Sequence, residues 1–140
     1  MESFPTLDGG QLANEIHVWH AALDRGEAAL GWLEASLSPD EKARADRFHF
    51  RNDRNRFVAA RGLLRKLLGA YLRRAPAALE FSYGQHGKPS LSGENASSGL
   101  SFNLSHSSEL AVYAIARDRN LGVDVLVGHP AASLAIRGLL

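Results

Sequence analysis

Residues 100–126 read LSFNLSHSSELAVYAIARDRNLGVDVL, and this stretch decides the fold class. An apolar run at 110–116 lies between a polar segment and a charged turn, Arg117-Asp118-Arg119-Asn120, which leads into Gly122-Val123-Asp124-Val125. The order predicted is strand, polar tip, strand, turn, strand. The tip, Phe102-Asn103-Leu104-Ser105-His106, offers amide, hydroxyl and imidazole groups, and the last strand carries a single carboxylate, Asp124. Such a set suits a phosphate ligand held together with a divalent cation. The same residues read equally well as a plain strand-to-loop junction, with Asp124 in a turn network.

Working outward, the longest helix is predicted over residues 53–74, DRNRFVAARGLLRKLLGAYLRR. At about 100° per residue, Phe57, Ala60, Leu63, Leu64, Leu67, Leu68 and Tyr71 share one apolar arc. Arg54, Arg61 and Arg65 flank it, with Arg61 nearest. An arginine placed there is a structural ion-pair partner or an anion ligand. Gly62 and Gly69 lower helix propensity, which points to close packing on their side. The helix should end before Pro76.

Upstream, Ser38-Pro39-Asp40-Glu41 is a helix start. Ser38 can cap, Pro39 fits the first helical position, and Glu41 completes a capping box. The helix that follows carries a basic face of Lys42, Arg44 and Arg47 and is expected to turn Phe48 toward the core. Residues 15–22 read as a first strand and 28–37 as a short helix. His17 and His20 are expected on the strand as surface or half-buried residues without a metal role. Downstream, 79–83 reads as a short strand. Gly84-Gln85-His86-Gly87-Lys88-Pro89 reads as a loop that fixes one ammonium between a flexible and a rigid residue. Residues 92–99 (SGENASSG) read as a flexible linker.

Composition narrows the class. A chain of 140 residues with 45% hydrophobic and 22% charged content is expected to form one globular domain with a sizeable core. A formal net charge of +1 argues against a nucleic-acid or membrane-surface partner. There is no cysteine, which excludes disulfides and thiolate metal sites. No signal peptide or membrane span is expected, and a cytoplasmic location is the default.

Taken in order, SPDEKARADRF, RNRFVAARGLLRKLLGAYL, FSYGQHGKPSL, FNLSHS and LGVDV resemble the 4'-phosphopantetheinyl transferase superfamily, in its two-lobed surfactin-type branch. The resemblance covers residues 15–125. It implies an α/β (α+β) fold in which a small sheet packs with helices, as one half of a pseudo-twofold, two-lobed molecule. It implies transfer of the phosphopantetheine arm of coenzyme A to a serine of an acyl or peptidyl carrier protein, with Mg²⁺ as cofactor. By the same resemblance Lys88 contacts coenzyme A phosphate and Pro89 shapes its loop. Asn103, Ser105 and His106 stand where the family contacts the pyrophosphate and 3'-phosphate. Arg44 and Arg56 match positions near the nucleotide, and Asp124 matches the first Mg²⁺ ligand.

Two departures shape the expectation. Leu126 replaces an acidic residue of the family's GxDxE motif, and leucine cannot ligate a hard cation. No segment matches the family's WxxKE helix. The division expected is an N-terminal lobe at 1–126 and a divergent tail at 127–140, without the second lobe and without an assigned catalytic residue. The expected function is therefore that of an N-terminal transferase lobe, incomplete for catalysis. A non-catalytic coenzyme A or carrier-protein binding module is the alternative, and self-association is expected if a half-cleft exposes apolar surface. A nucleic-acid binder using residues 51–74 is disfavoured by the near-neutral charge.

Overall fold

The computed structural model describes residues 15–85 and 87–117 and the backbone of 133–139. In chain order the elements are β1 (Glu15–Ala22), α1 (Glu27–Glu34), α2 (Pro39–Asp46), α3 (Arg51–Leu72), β2 (Glu80–Tyr83), β3 (Pro89–Ser92), β4 (Leu100–Ser107), β5 (Leu110–Arg117) and β6 (Ser133–Leu139). Among the described residues they form a four-stranded sheet in the order β4-β5-β1-β6, and a separate hairpin of β2 and β3. β5 runs antiparallel to both β4 and β1, while β6 joins β1 in parallel. This is a mixed α/β lobe with small sheets and three helices, as the sequence implied.

One sheet face packs on α3. Trp19, Ala21, Ala111, Tyr113, Ile115 and Phe102 meet Ala60, Leu63, Leu64, Leu67, Leu68 and Tyr71 in the main core. The apolar arc read from the sequence is therefore the buried face of α3, with Val58 and Ala59 added. Tyr113 ties the two layers by donating its hydroxyl proton to the carbonyl of Ala60 at 2.7 Å. Burial pushes that hydroxyl well above the usual phenol range.

α1 crosses α3 at Gly62. A Cβ on Gly62 would lie 2.7 Å from Leu33 Cβ and 2.9 Å from the Leu33 carbonyl oxygen. Gly62→Ala gains about 1 kcal/mol of helix propensity but forces the helices apart, so a net loss of about 1–3 kcal/mol is expected in urea denaturation. A neutral or stabilising result would show that α1 yields freely.

Several sequence expectations change. α1 ends at Glu34 rather than near residue 37, and α3 begins at Arg51, two residues early. Phe48 does not enter the core. α2 ends at Asp46, so Phe48 falls in the connection to α3, 39% exposed, with its ring 5.5 Å from that of Phe57. His17 is buried rather than half-exposed, because odd-numbered β1 residues face α3. The segment 92–99 is more than a linker, since Gly93–Asn95 forms a 3-10 turn. Within the expected tail at 127–140 the described segment is β6.

Candidate functional site

The site is built around the α2–α3 contact. Ser38 caps α2 by accepting from the Glu41 N–H, and Glu41 Oε1 accepts from the Ser38 N–H at 2.9 Å. The same carboxylate is buried and holds two buried arginines of α3. Arg65 Nε donates to it at 2.6 Å and Arg61 Nη1 at 3.3 Å. Arg65 Nη1 also donates to the carbonyls of Pro76 and Leu79, at 2.9 and 2.8 Å. The choice left open for Arg61 is thereby settled as an ion pair. Its Nη1 further donates to the Tyr83 hydroxyl at 2.8 Å.

Tyr83 ends β2, whose Phe81 meets Phe102 of β4 edge-on, with ring centroids 5.8 Å apart. The β2–β3 hairpin is thus pressed against β4, the edge of the main sheet. β3 itself was missed in the sequence, where PSLS is only four residues long and opens on a proline. The connecting loop is closed by Gly84 N–H donating to the Lys88 carbonyl at 3.1 Å, and Gly87 takes φ +72°, which glycine adopts without strain. Between hairpin and β4 lies a groove of about 410 Å³, lined by Gly84, Lys88, Pro89, Leu91, Ser101 and Phe102.

The structure brings some expected site residues together and separates others. Lys88 and Pro89 share the groove. Asn103, Ser105 and His106 do not form a polar tip. They continue β4, and the turn is Ser108-Glu109, with Ser108 at φ 49°. Period-two alternation puts Asn103 and Ser105 on the face away from α3, while His106 lies on the α3 side at the exposed strand end. Arg44 is exposed, its guanidinium 5.2 Å from the centre of the Phe57 ring. Arg56 makes a forked pair with Asp24, at 2.8 and 3.2 Å. That hydrogen bond holds the Asp24 carboxyl below its ordinary value. Leu23, next to Asp24, donates its N–H to the Glu109 carbonyl at 2.7 Å, so this pair sits near the β4–β5 turn. Asp124 and Leu126 lie outside the described residues. Among the described residues no group of three or more His, Asp or Glu side chains could hold a metal. Nor is any helix there long and apolar enough to cross a membrane.

Residues 22–118 match the family described as 4'-phosphopantetheinyl transferase, N-terminal. The chain belongs to the 4'-phosphopantetheinyl transferase family. It is 46% identical over 123 residues to the 4'-phosphopantetheinyl transferase HetI of Nostoc sp., an alignment covering 88% of this chain and 52% of the relative. It is 35% identical over 100 residues to a phosphopantetheinyl transferase of Thraustochytrium sp., covering 71% and 34%. It is 29% identical over 126 residues to the human L-aminoadipate-semialdehyde dehydrogenase-phosphopantetheinyl transferase, covering 87% and 39%. The chain thus spans about half the length of the Nostoc relative and less of the others. As a phosphopantetheinyl transferase N-terminal region, it places the glycine-lysine-proline loop on a hairpin tip beside the sheet edge. Sequence reasoning missed Ser101, which lines this groove, and Tyr83, which ends β2 just before the loop. The alternation in Phe81-Ser82-Tyr83, continued in Leu100-Ser101-Phe102, was the signal available.

Proposed function

We propose that this chain takes part in transferring the 4'-phosphopantetheine arm of coenzyme A to a serine of an acyl or peptidyl carrier protein. In that reaction the serine oxygen bonds to the phosphorus next to pantetheine. The pyrophosphate bridge breaks, the serine proton is lost to a base, and adenosine 3',5'-bisphosphate leaves. The observation that carries the reading is the open groove between the hairpin and β4, which Lys88 lines together with Pro89 and Ser101. Lysine supplies a point charge for a phosphate oxygen, and Asn103, Ser105, His106 and Arg44 are assigned to the same ligand. Mg²⁺ is part of the proposal through Asp124 and the ligand's own phosphates. A cytoplasmic location belongs to the same reading.

The test is calorimetric titration of the chain with coenzyme A. Charged phosphate contacts are worth about 1.5–3 kcal/mol, so Lys88→Ala should weaken binding about tenfold or more. Absence of coenzyme A binding by the parent chain would remove the proposal. For the metal, Mg²⁺ should strengthen coenzyme A binding, and Asp124→Ala should erase that dependence. Tight Mg²⁺ binding to the free chain would place the metal elsewhere.

A further inference from the structure

Arg44, assigned to the nucleotide end of the ligand, and Lys88, assigned to a ligand phosphate, stand on different elements, α2 and the β2–β3 loop. Phe57, Arg61 and Tyr83 link α2 to the hairpin in series, with Arg61 meeting both rings. The guanidinium of Arg44 is 5.2 Å from the Phe57 ring centre, and that of Arg61 is also 5.2 Å from it. Arg61 is in turn 5.7 Å from the Tyr83 ring centre and donates to its hydroxyl at 2.8 Å. Arg61 is 5% exposed, and Glu41, 2% exposed, neutralises it from behind. A cation so buried and so engaged is poorly placed to bind a ligand itself. Tyr83, by contrast, is 42% exposed although its hydroxyl is tied inward. It pairs with Pro89 across the hairpin and precedes the loop that Gly84 closes on the Lys88 carbonyl.

We propose that Arg61 is a positioning residue that, clamped by Glu41 and set between Phe57 and Tyr83, fixes the spacing of Arg44 and the Lys88 loop so that both reach one phosphate-bearing ligand. The inference rests on the coenzyme A reading above. The planar guanidinium matters here, because a lysine at this position keeps the charge near Glu41 but loses the flat face that meets both rings. Phe57 acts as a shared wall: moving Arg61 releases the hairpin end and removes the packing behind the ring that carries Arg44.

The experiment is calorimetric titration of the full chain with coenzyme A, using Tyr83→Phe, Arg61→Lys, Lys88→Ala and the double variant Tyr83→Phe/Lys88→Ala. Tyr83→Phe removes the acceptor of one Arg61 N–H but leaves the Glu41 pair in place, so it should lower the melting temperature only slightly while weakening binding about three- to tenfold. Arg61→Lys should weaken it at least as much. If Tyr83 acts through Lys88, the double variant should bind no worse than Lys88→Ala, whereas independent structural losses would add. Parent-like binding by Tyr83→Phe, or additivity in the double variant, overturns the proposal. Should Arg61→Lys fail to fold, Tyr83→Phe and the double variant still decide. If Lys88→Ala weakens binding and Tyr83→Phe does not, the positioning role falls while the coenzyme A reading stands. If the parent chain binds no coenzyme A, both fall together.

Discussion

Glu41→Ala is expected to destabilise the chain by about 3–5 kcal/mol, because it leaves two buried guanidinium groups without their counter-charge. Arg65 is 2% exposed and Arg61 5%, so neither can reach water without moving α3 away from α2. The loss of the capping box adds to the effect, since the Ser38 N–H loses the Glu41 oxygen it donates to at 2.9 Å. Domains of this size are stable by about 5–15 kcal/mol, so this one carboxylate accounts for a large share. Glu41→Gln should be milder, since an amide oxygen can still accept from Ser38 and from one arginine. Urea denaturation followed by circular dichroism measures both. A loss below about 1 kcal/mol for Glu41→Ala would mean that the arginines find other partners, and the clamp on the hairpin would lose its anchor.

This network also shows how far the sequence could be read. The capping box was legible because its four residues are consecutive and the chemistry is local. The buried face of α3 was legible because a 3.6-residue period repeats over six turns. That Glu41 would serve two arginines at sequence distances of 20 and 24 was not legible, since no local pattern encodes a partner that far away. Phe48 misled for a related reason: extending the α2 period beyond Asp46 assumes that the helix continues, and it stops. The polar tip was misplaced although Leu100, Phe102 and Leu104 alternate with Ser101, Asn103 and Ser105, an alternation that already argues for an unbroken strand. Chemistry-bearing residues drew the reading toward a loop, while the ladder to β5 runs on to Ser107. At the site, the glycines and proline around Lys88 announced its loop. Which strand edge that loop would face depends on Phe81 meeting Phe102, a contact between separate sheets.

Tyr71→Phe is expected to cost about 2–4 kcal/mol, for a reason that sequence reading also could not supply. The Tyr71 hydroxyl lies 2.6 Å from His17 Nδ1, and it accepts from Trp19 Nε1 at 3.0 Å. An indole N–H can only donate, so the hydroxyl accepts there and can donate its own proton to His17 Nδ1. His17 Nε2 then donates to the Glu15 carboxylate at 3.2 Å. This assignment gives each of the four groups a partner, and it makes one oxygen a polar link between α3 and β1. Phenylalanine keeps the ring volume, so little cavity term enters, and the loss reads out the hydrogen bonds. Urea denaturation provides the measurement, and a change under about 0.5 kcal/mol would show that neither bond contributes. None of His17, Trp19 and Tyr71 lines the Lys88 groove. Folded Tyr71→Phe should therefore bind coenzyme A as the parent chain does, while Tyr83→Phe should keep most of its stability and lose affinity. The same one-atom deletion at two tyrosines thus separates the scaffold from the site, and an affinity loss in Tyr71→Phe would show that the sheet's attachment to α3 also sets the groove.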